Sequence, residues 1–112
     1  MAVLRVDAIR TKASGAITGS YTTLGGPTTH LWRMFRFTNT TDGDLLISFD
    51  GTTDNLIVPA GSFVLYDVCT NAAPSNLNDN LLVGIGTQIY VKYNTAPTTG
   101  SVWLEGLYAK GE

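Results

Sequence analysis

In this sequence of 112 residues Asp50, Asp54 and Asn55 fall within one short polar stretch and would make an oxygen-rich loop. Calcium takes about six to eight oxygen ligands, so such a loop is a place to look for it. The spacing does not fit an EF-hand, however, and Asp and Asn are also turn residues that bond their own backbone. Turn chemistry accounts for these residues, so no metal is expected. His30 is the single histidine. It belongs to no H-E-x-x-H pattern, and the chain has no G-x-S-x-G elbow to supply a nucleophile. A general base needs a partnered geometry that no motif here provides, so His30 is expected in a loop or at a strand edge. Cys69 is the single cysteine, which excludes an intrachain disulfide and a clustered-cysteine metal site. It ends an apolar run with no adjacent base, the setting of a buried, inert thiol. Gly84-Ile85-Gly86 has no following helix to hold a phosphate and reads as a bulge or sharp bend. No catalytic residue and no cofactor emerge, and the chain is not expected to be an enzyme.

Hydrophobic residues make up 44% of the chain and charged ones 14%, with a formal net charge of -2. The length suits a single domain over residues 1–112, large enough to bury its own core. The mildly negative balance argues against nucleic acid as a partner. No apolar run approaches the roughly 18 residues of a membrane helix, and the first residues lack the apolar core of a signal peptide. Neither a membrane association nor a leader is therefore expected. Charge is scarce compared with the ~25% of an average domain, and Thr, Ser, Asn and Gly take its place. Such a neutral polar surface sheds water cheaply on contact with a partner; threonine also simply favours strands.

Short apolar stretches separated by turn residues mark an all-β chain. Residues 3–10 alternate as a first strand. Residues 31–38 (LWRMFRFT) form the strongest candidate, with Leu31, Arg33, Phe35 and Phe37 on one face and Trp32, Met34 and Arg36 on the other. Both faces are partly apolar, so this strand should be covered on both sides or lie at an interface. Asp42-Gly43 signals a hairpin. LLISF follows, then a turn at Asp50-Gly51, a short strand 55–58 and a stop at Pro59-Ala60-Gly61. Strand 62–69, a polar loop 70–80, strand 88–93 and strand 102–108 complete the chain. No stretch shows helical apolar spacing. Period-2 alternation predicts a core of Phe35, Phe37, Leu45, Ile47, Phe49, Phe63, Leu65, Ile89, Val91, Val102 and Leu104. The fold class is all-β, a two-sheet antiparallel β-sandwich of about eight strands. The missing cysteine–tryptophan–cysteine spacing favours a jelly roll over an immunoglobulin-like domain.

Charge is segregated along the sequence. Residues 1–37 carry Arg5, Arg10, Lys12, Arg33 and Arg36 against Asp7, a net of +4, and the remainder carries a net of −6. Such asymmetry could orient neighbouring copies or dock one end on an oppositely charged surface; an uneven short chain is the plainer account. Arg5, Arg10, Lys12, Trp32 and Arg36 are the expected protein-interface residues, because Trp and Arg dominate interface hot spots.

Residues 47–71 (ISFDGTTDNLIVPAGSFVLYDVCTN) and 86–109 (GTQIYVKYNTAPTTGSVWLEGLYA), with GSYTTLGGP and LWRMFRFTNTTDGD upstream, resemble small β-sandwich virion proteins of tailed bacteriophages. The resemblance implies a structural role on the particle exterior as a capsid decoration or cement protein, made in the host cytoplasm. It implies the major capsid protein or other virion proteins as partners and self-association into a homo-oligomer, and it supplies no catalytic residues. Two alternatives stay open. One is a head-fibre, tail or head-to-tail component; the other is a carbohydrate-binding sandwich that stacks sugars on Trp32, Trp103 and tyrosines.

Overall fold

The computed structural model describes residues 4–67 and 83–109, so the expectations for Cys69 and the polar loop 70–80 lie outside the described residues. Among the described residues there are nine strands: β1 (Leu4–Val6), β2 (Arg10–Ala13), β3 (Thr22–Thr23), β4 (Trp32–Asn39), β5 (Leu45–Ser48), β6 (Leu56–Val58), β7 (Phe63–Asp67), β8 (Tyr90–Tyr93) and β9 (Ser101–Ala109). One sheet runs β1-β9-β4-β7 with β2 also on β9, and the other runs β3-β8-β5-β6. Every pairing is antiparallel.

β1 and β2 lie end to end along β9, so they share one strand position that breaks at residues 7–9. Eight positions then remain, nested as four antiparallel pairs: β1/β2 with β9, β3 with β8, β4 with β7, and β5 with β6. A nested hairpin rolled into two facing sheets is the jelly-roll arrangement. The expected sandwich is the fold observed, with its first strand divided in two. Asp7 sits at the division: its N–H donates to the Gly106 carbonyl at 2.8 Å while its carboxylate accepts from Ala8 N–H and from the Trp32 indole.

Between the sheets Phe35, Phe37, Leu45, Ile47, Ile89, Val91, Val102 and Leu104 are fully buried, as their alternation requires. Phe49 packs partly buried against them. Phe63 and Leu65 do not join the core; they are 60% and 52% exposed. Both faces of β7 are apolar, so alternation alone cannot say which turns inward. The ladder decides: Phe37 opposes Val64 and Phe35 opposes Tyr66, which puts Val64 and Tyr66 on the core side.

Trp32 also departs from expectation, being fully buried and not on the outer face of its strand. The β4–β9 register slips between Trp32 and Met34, leaving Arg33 as the extra residue of a bulge. One inserted residue reverses parity, so Trp32 turns to the same side as Phe35 and Phe37 while Met34 and Arg36 stay outward. The indole lies against Gly106 of β9, where any Cβ would fall inside the ring.

Asp42-Gly43 is not a hairpin turn either, because β4 and β5 belong to different sheets. The segment is a corner that crosses the sandwich, built on Asn39. Its buried amide nitrogen donates to the carbonyls of Gly43 and of Val58, each at 2.9 Å, and its Oδ1 accepts from Thr41 N–H at 2.8 Å. Gly43 is needed here for close approach, since a Cβ would meet the Thr95 carbonyl. By contrast, Asp50-Gly51 does close the β5–β6 hairpin, with Gly51 at φ 85°. The bend expected at 84–86 is a tight turn between Val83, which bridges to Trp32, and β8.

Gly106→Ala is expected to destabilise the chain by about 1–3 kcal/mol, because the added methyl must displace the Trp32 indole from a close-packed site. Thermal denaturation would show the midpoint lowered by on the order of 10 °C. Gly15→Ala, where a Cβ meets nothing within 4 Å, should leave it almost unchanged.

Candidate functional site

Residues directly opposed across antiparallel strands share a face, so the registers define what the five-stranded sheet shows to solvent. One row across the strands carries Val6, Leu107, Met34 and Asp67. The next carries Glu105, Arg36 and Leu65, and the third Thr11, Trp103, Thr38 and Phe63. Six large apolar side chains thus surround one ion pair on the outside of the sandwich. Val6, Phe63 and Leu65 are each more than half exposed, and Met34, Trp103 and Leu107 are half-buried. A shallow groove of about 390 Å³ runs along Arg36, Phe63, Leu65, Glu105 and Leu107.

At its centre the Arg36 guanidinium donates from Nε and Nη2 to Oε1 of Glu105, the first at 2.8 Å. The pair joins a residue of the basic N-terminal segment to one of the acidic remainder. It is open to water, with side chains 46% and 29% exposed, so its own contribution to stability is small.

The interface residues expected from sequence are scattered by the fold. Arg5 is exposed on β1. Arg10 and Lys12 lie on the inward parity of β2, opposite Leu104 and Val102. Their stems cover the open margin between the sheets and their heads bond β3 and the turn after it, Lys12 to the Thr23 carbonyl at 2.8 Å and Arg10 to the Gly26 carbonyl at 2.6 Å. Arg10 also lies over the Trp32 ring at 5.1 Å. Of the five, only Arg36 sits on the open face. Phe63, Leu65, Leu107 and Val6 were missed as surface residues, whereas Met34 stays on the face it shares with Arg36. The signal was present in Phe63-Val64-Leu65-Tyr66, which is apolar on both parities just as 31–38 is.

The polar clusters are used internally. Asp50 accepts from the N–H groups of Thr52 and Thr53, each at 2.8 Å, and from the Ser48 hydroxyl. Asp42 likewise accepts from Thr98 N–H at 2.7 Å and from the Thr98 hydroxyl, holding the corner to the loop before β9. These bonds favour the charged carboxylates: the Thr98 bonds lower Asp42 from 3.8 to about 2, and the Thr53 and Thr52 N–H groups hold Asp50 lower still. Asp54 accepts from the Tyr21 phenol and pairs with Lys92 at 3.4 Å, and it too is held low. Burial and then the bond to Asp54 push the Tyr21 phenol far above its ordinary value. Tyr21 therefore stays protonated as the hydrogen-bond donor to Asp54. The Asn55 side-chain oxygen accepts from Phe49 N–H at 3.0 Å. Asp50 Oδ1 and Oδ2, Asp54 Oδ1 and Asn55 Oδ1 thus each accept from a protein donor. His30 stacks flat on Tyr108 with ring centres 3.7 Å apart.

The chain matches no known protein family and no curated protein. Among solved structures it is similar to the Dit protein (gp 19.1) of phage SPP1, described as a paradigm of hub adsorption apparatus in Gram-positive infecting phages. The TM-score is 0.43 at 12% identity, over 94% of this chain and 49% of that one. The chain therefore spans about half the length of that protein.

Two outcomes are expected from the carboxylates. Asp42, Asp50 and Asp54 sit below their unfolded value of 3.8, so in acid the unfolded chain binds more protons than the folded one. Their stabilisation is complete above about pH 5 and is lost as pH falls toward 2. The melting midpoint should drop across that window, and Asp50→Asn should flatten the drop. Separately, a chelator should leave the midpoint at neutral pH unchanged, whereas a fall reversed by calcium would restore the Asp50, Asp54 and Asn55 site.

Proposed function

We propose that this chain is a non-enzymatic structural component of a tailed-bacteriophage particle, acting as a decoration or cement protein that binds the capsid shell from outside. The observation that carries the reading is the outer face of the five-stranded sheet, where Val6, Phe63 and Leu65 are more than half exposed beside the half-buried Met34, Trp103 and Leu107. Apolar surface of that extent marks a protein that works by assembling with others. The sequence resemblance to small β-sandwich virion proteins supplies the setting. The carboxylates lend support, since Asp50 and Asp42 are spent on holding a turn and a corner.

Shell contact is assigned to the basic N-terminal edge, where Arg5 is exposed on β1 and reaches solvent away from the Arg10 and Lys12 bonds. The carbohydrate alternative loses half of its platform, because Trp32 is fully buried and only Trp103 reaches the surface. A ligand that binds only the assembled shell stabilises it by about 2.7 kcal/mol at a hundredfold excess over its Kd. Many copies multiply that effect.

The test strips the protein from particles, adds it back and follows rupture by heat or osmotic shock. Restored resistance that Arg5→Glu abolishes is the expected result. Identical rupture of stripped and replenished particles would sink the cement role and leave the head-fibre, tail or head-to-tail reading in its place.

A further inference from the structure

We propose that the outer face of the five-stranded sheet seats a second copy of this chain, the two packed sheet against sheet about a two-fold axis beside Arg36 and Glu105. The charge pattern singles out a copy over other occupants. At the centre lie one cation and one anion side by side, with Asp67 at the rim. A partner of uniform charge would be attracted by one and repelled by the other. A two-fold rotation instead brings the second copy's acid to Arg36 and its guanidinium to Glu105, because an isologous contact pairs each residue with its complement reciprocally. The result is a ring of four alternating charges. Arg36 sends both of its hydrogen bonds to Oε1 of Glu105, so Oε2 and Nη1 have no bond within the described residues and can join such a ring. That satisfies the pair on burial, which an apolar partner could not do.

The dimensions also suffice. Four strand positions about 4.8 Å apart and a nine-residue central strand rising about 3.4 Å per residue give a face of roughly 19 by 30 Å. Two such faces bury on the order of 1,100 Å², above the ~1,000 Å² that a specific interface should clear and at the small end of the range for protein pairs. Facing sheets pack about 10 Å apart with side chains interleaved, and Phe63, Leu65, Val6 and Leu107 form an apolar border that excludes water from the charges.

This contact lies apart from the Arg5 edge, so the two assignments fail separately. The full chain is examined by sedimentation equilibrium over micromolar concentrations, with circular dichroism as the check on folding. Wild type should show twice the chain mass of 12.0 kDa. Leu65→Glu, on an exposed position, should keep the β spectrum and raise the dissociation constant roughly a hundredfold, since it buries an unpaired acid. Arg36→Glu carries two acids at the centre and Glu105→Arg two bases, so each alone should be monomeric. Mixed in equal amounts they should form a heterodimer. Wild type at monomer mass throughout, Leu65→Glu retaining the dimer, or a mixture that stays monomeric would each overturn the proposal.

Discussion

Trp32 is the side chain on which the organisation of the five-stranded sheet turns. Burying an indole removes roughly 200 Å² from water, on the order of 5 kcal/mol before entropic costs, so the strand that carries it must aim it inward. The Arg33 bulge does this at the expense of one irregular ladder step. Three further features follow from the ring's position. Gly106 leaves room for it on β9, Asp7 accepts its Nε1–H at 3.0 Å from the gap between β1 and β2, and Arg10 closes over it from the margin. The interruption between β1 and β2 is thus part of how the ring is held.

Asn39 performs a comparable task at the other end of β4. A buried amide with unmet partners costs several kcal/mol, and here its nitrogen reaches the Val58 carbonyl of β6 in the opposite sheet. The same side chain stitches the corner through Thr41 and Gly43, while Asp42 ties that corner to the loop before β9. β4 therefore leaves one sheet and enters the other at a fixed angle, which a free loop could not guarantee. Together the two ends of β4 determine which of its sides meets the core.

The open sheet face is the complement of that decision. Once Trp32, Phe35, Phe37 and Asn39 point inward, Met34, Arg36 and Thr38 point outward, and β7 and β9 must present Leu65, Phe63, Leu107 and Trp103 beside them. The polar chemistry is spent at the other extremities, where carboxylates accept from backbone N–H groups and lock turns. Rigid corners and an apolar side suit a module that is added to an assembly whole.

Much of the fold follows from the sequence by itself, because alternation and turn residues are local. The segments 31–38, LLISF, 88–93 and 102–108 became strands, Asp50-Gly51 became a hairpin, and the apolar residues of alternating runs such as Leu45, Ile47, Ile89 and Val91 became core. Sequence periodicity could not resolve whatever depends on a partner strand. Phe63 and Leu65 differ from Val64 and Tyr66 only in the register against β4, and Trp32 changed sides through a single extra residue that no spacing rule anticipates. Asp42-Gly43 has hairpin chemistry but serves a crossing, since Asn39 finds its acceptor in the opposite sheet. Arg10 and Lys12 look like surface charges in sequence, and only the approach of β3 and the turn after it gives their heads carbonyls of the same chain to bond. Local sequence determines which residues share a face. Pairing between distant strands determines which face is buried, because that choice is made by contacts the chain forms only once it has folded.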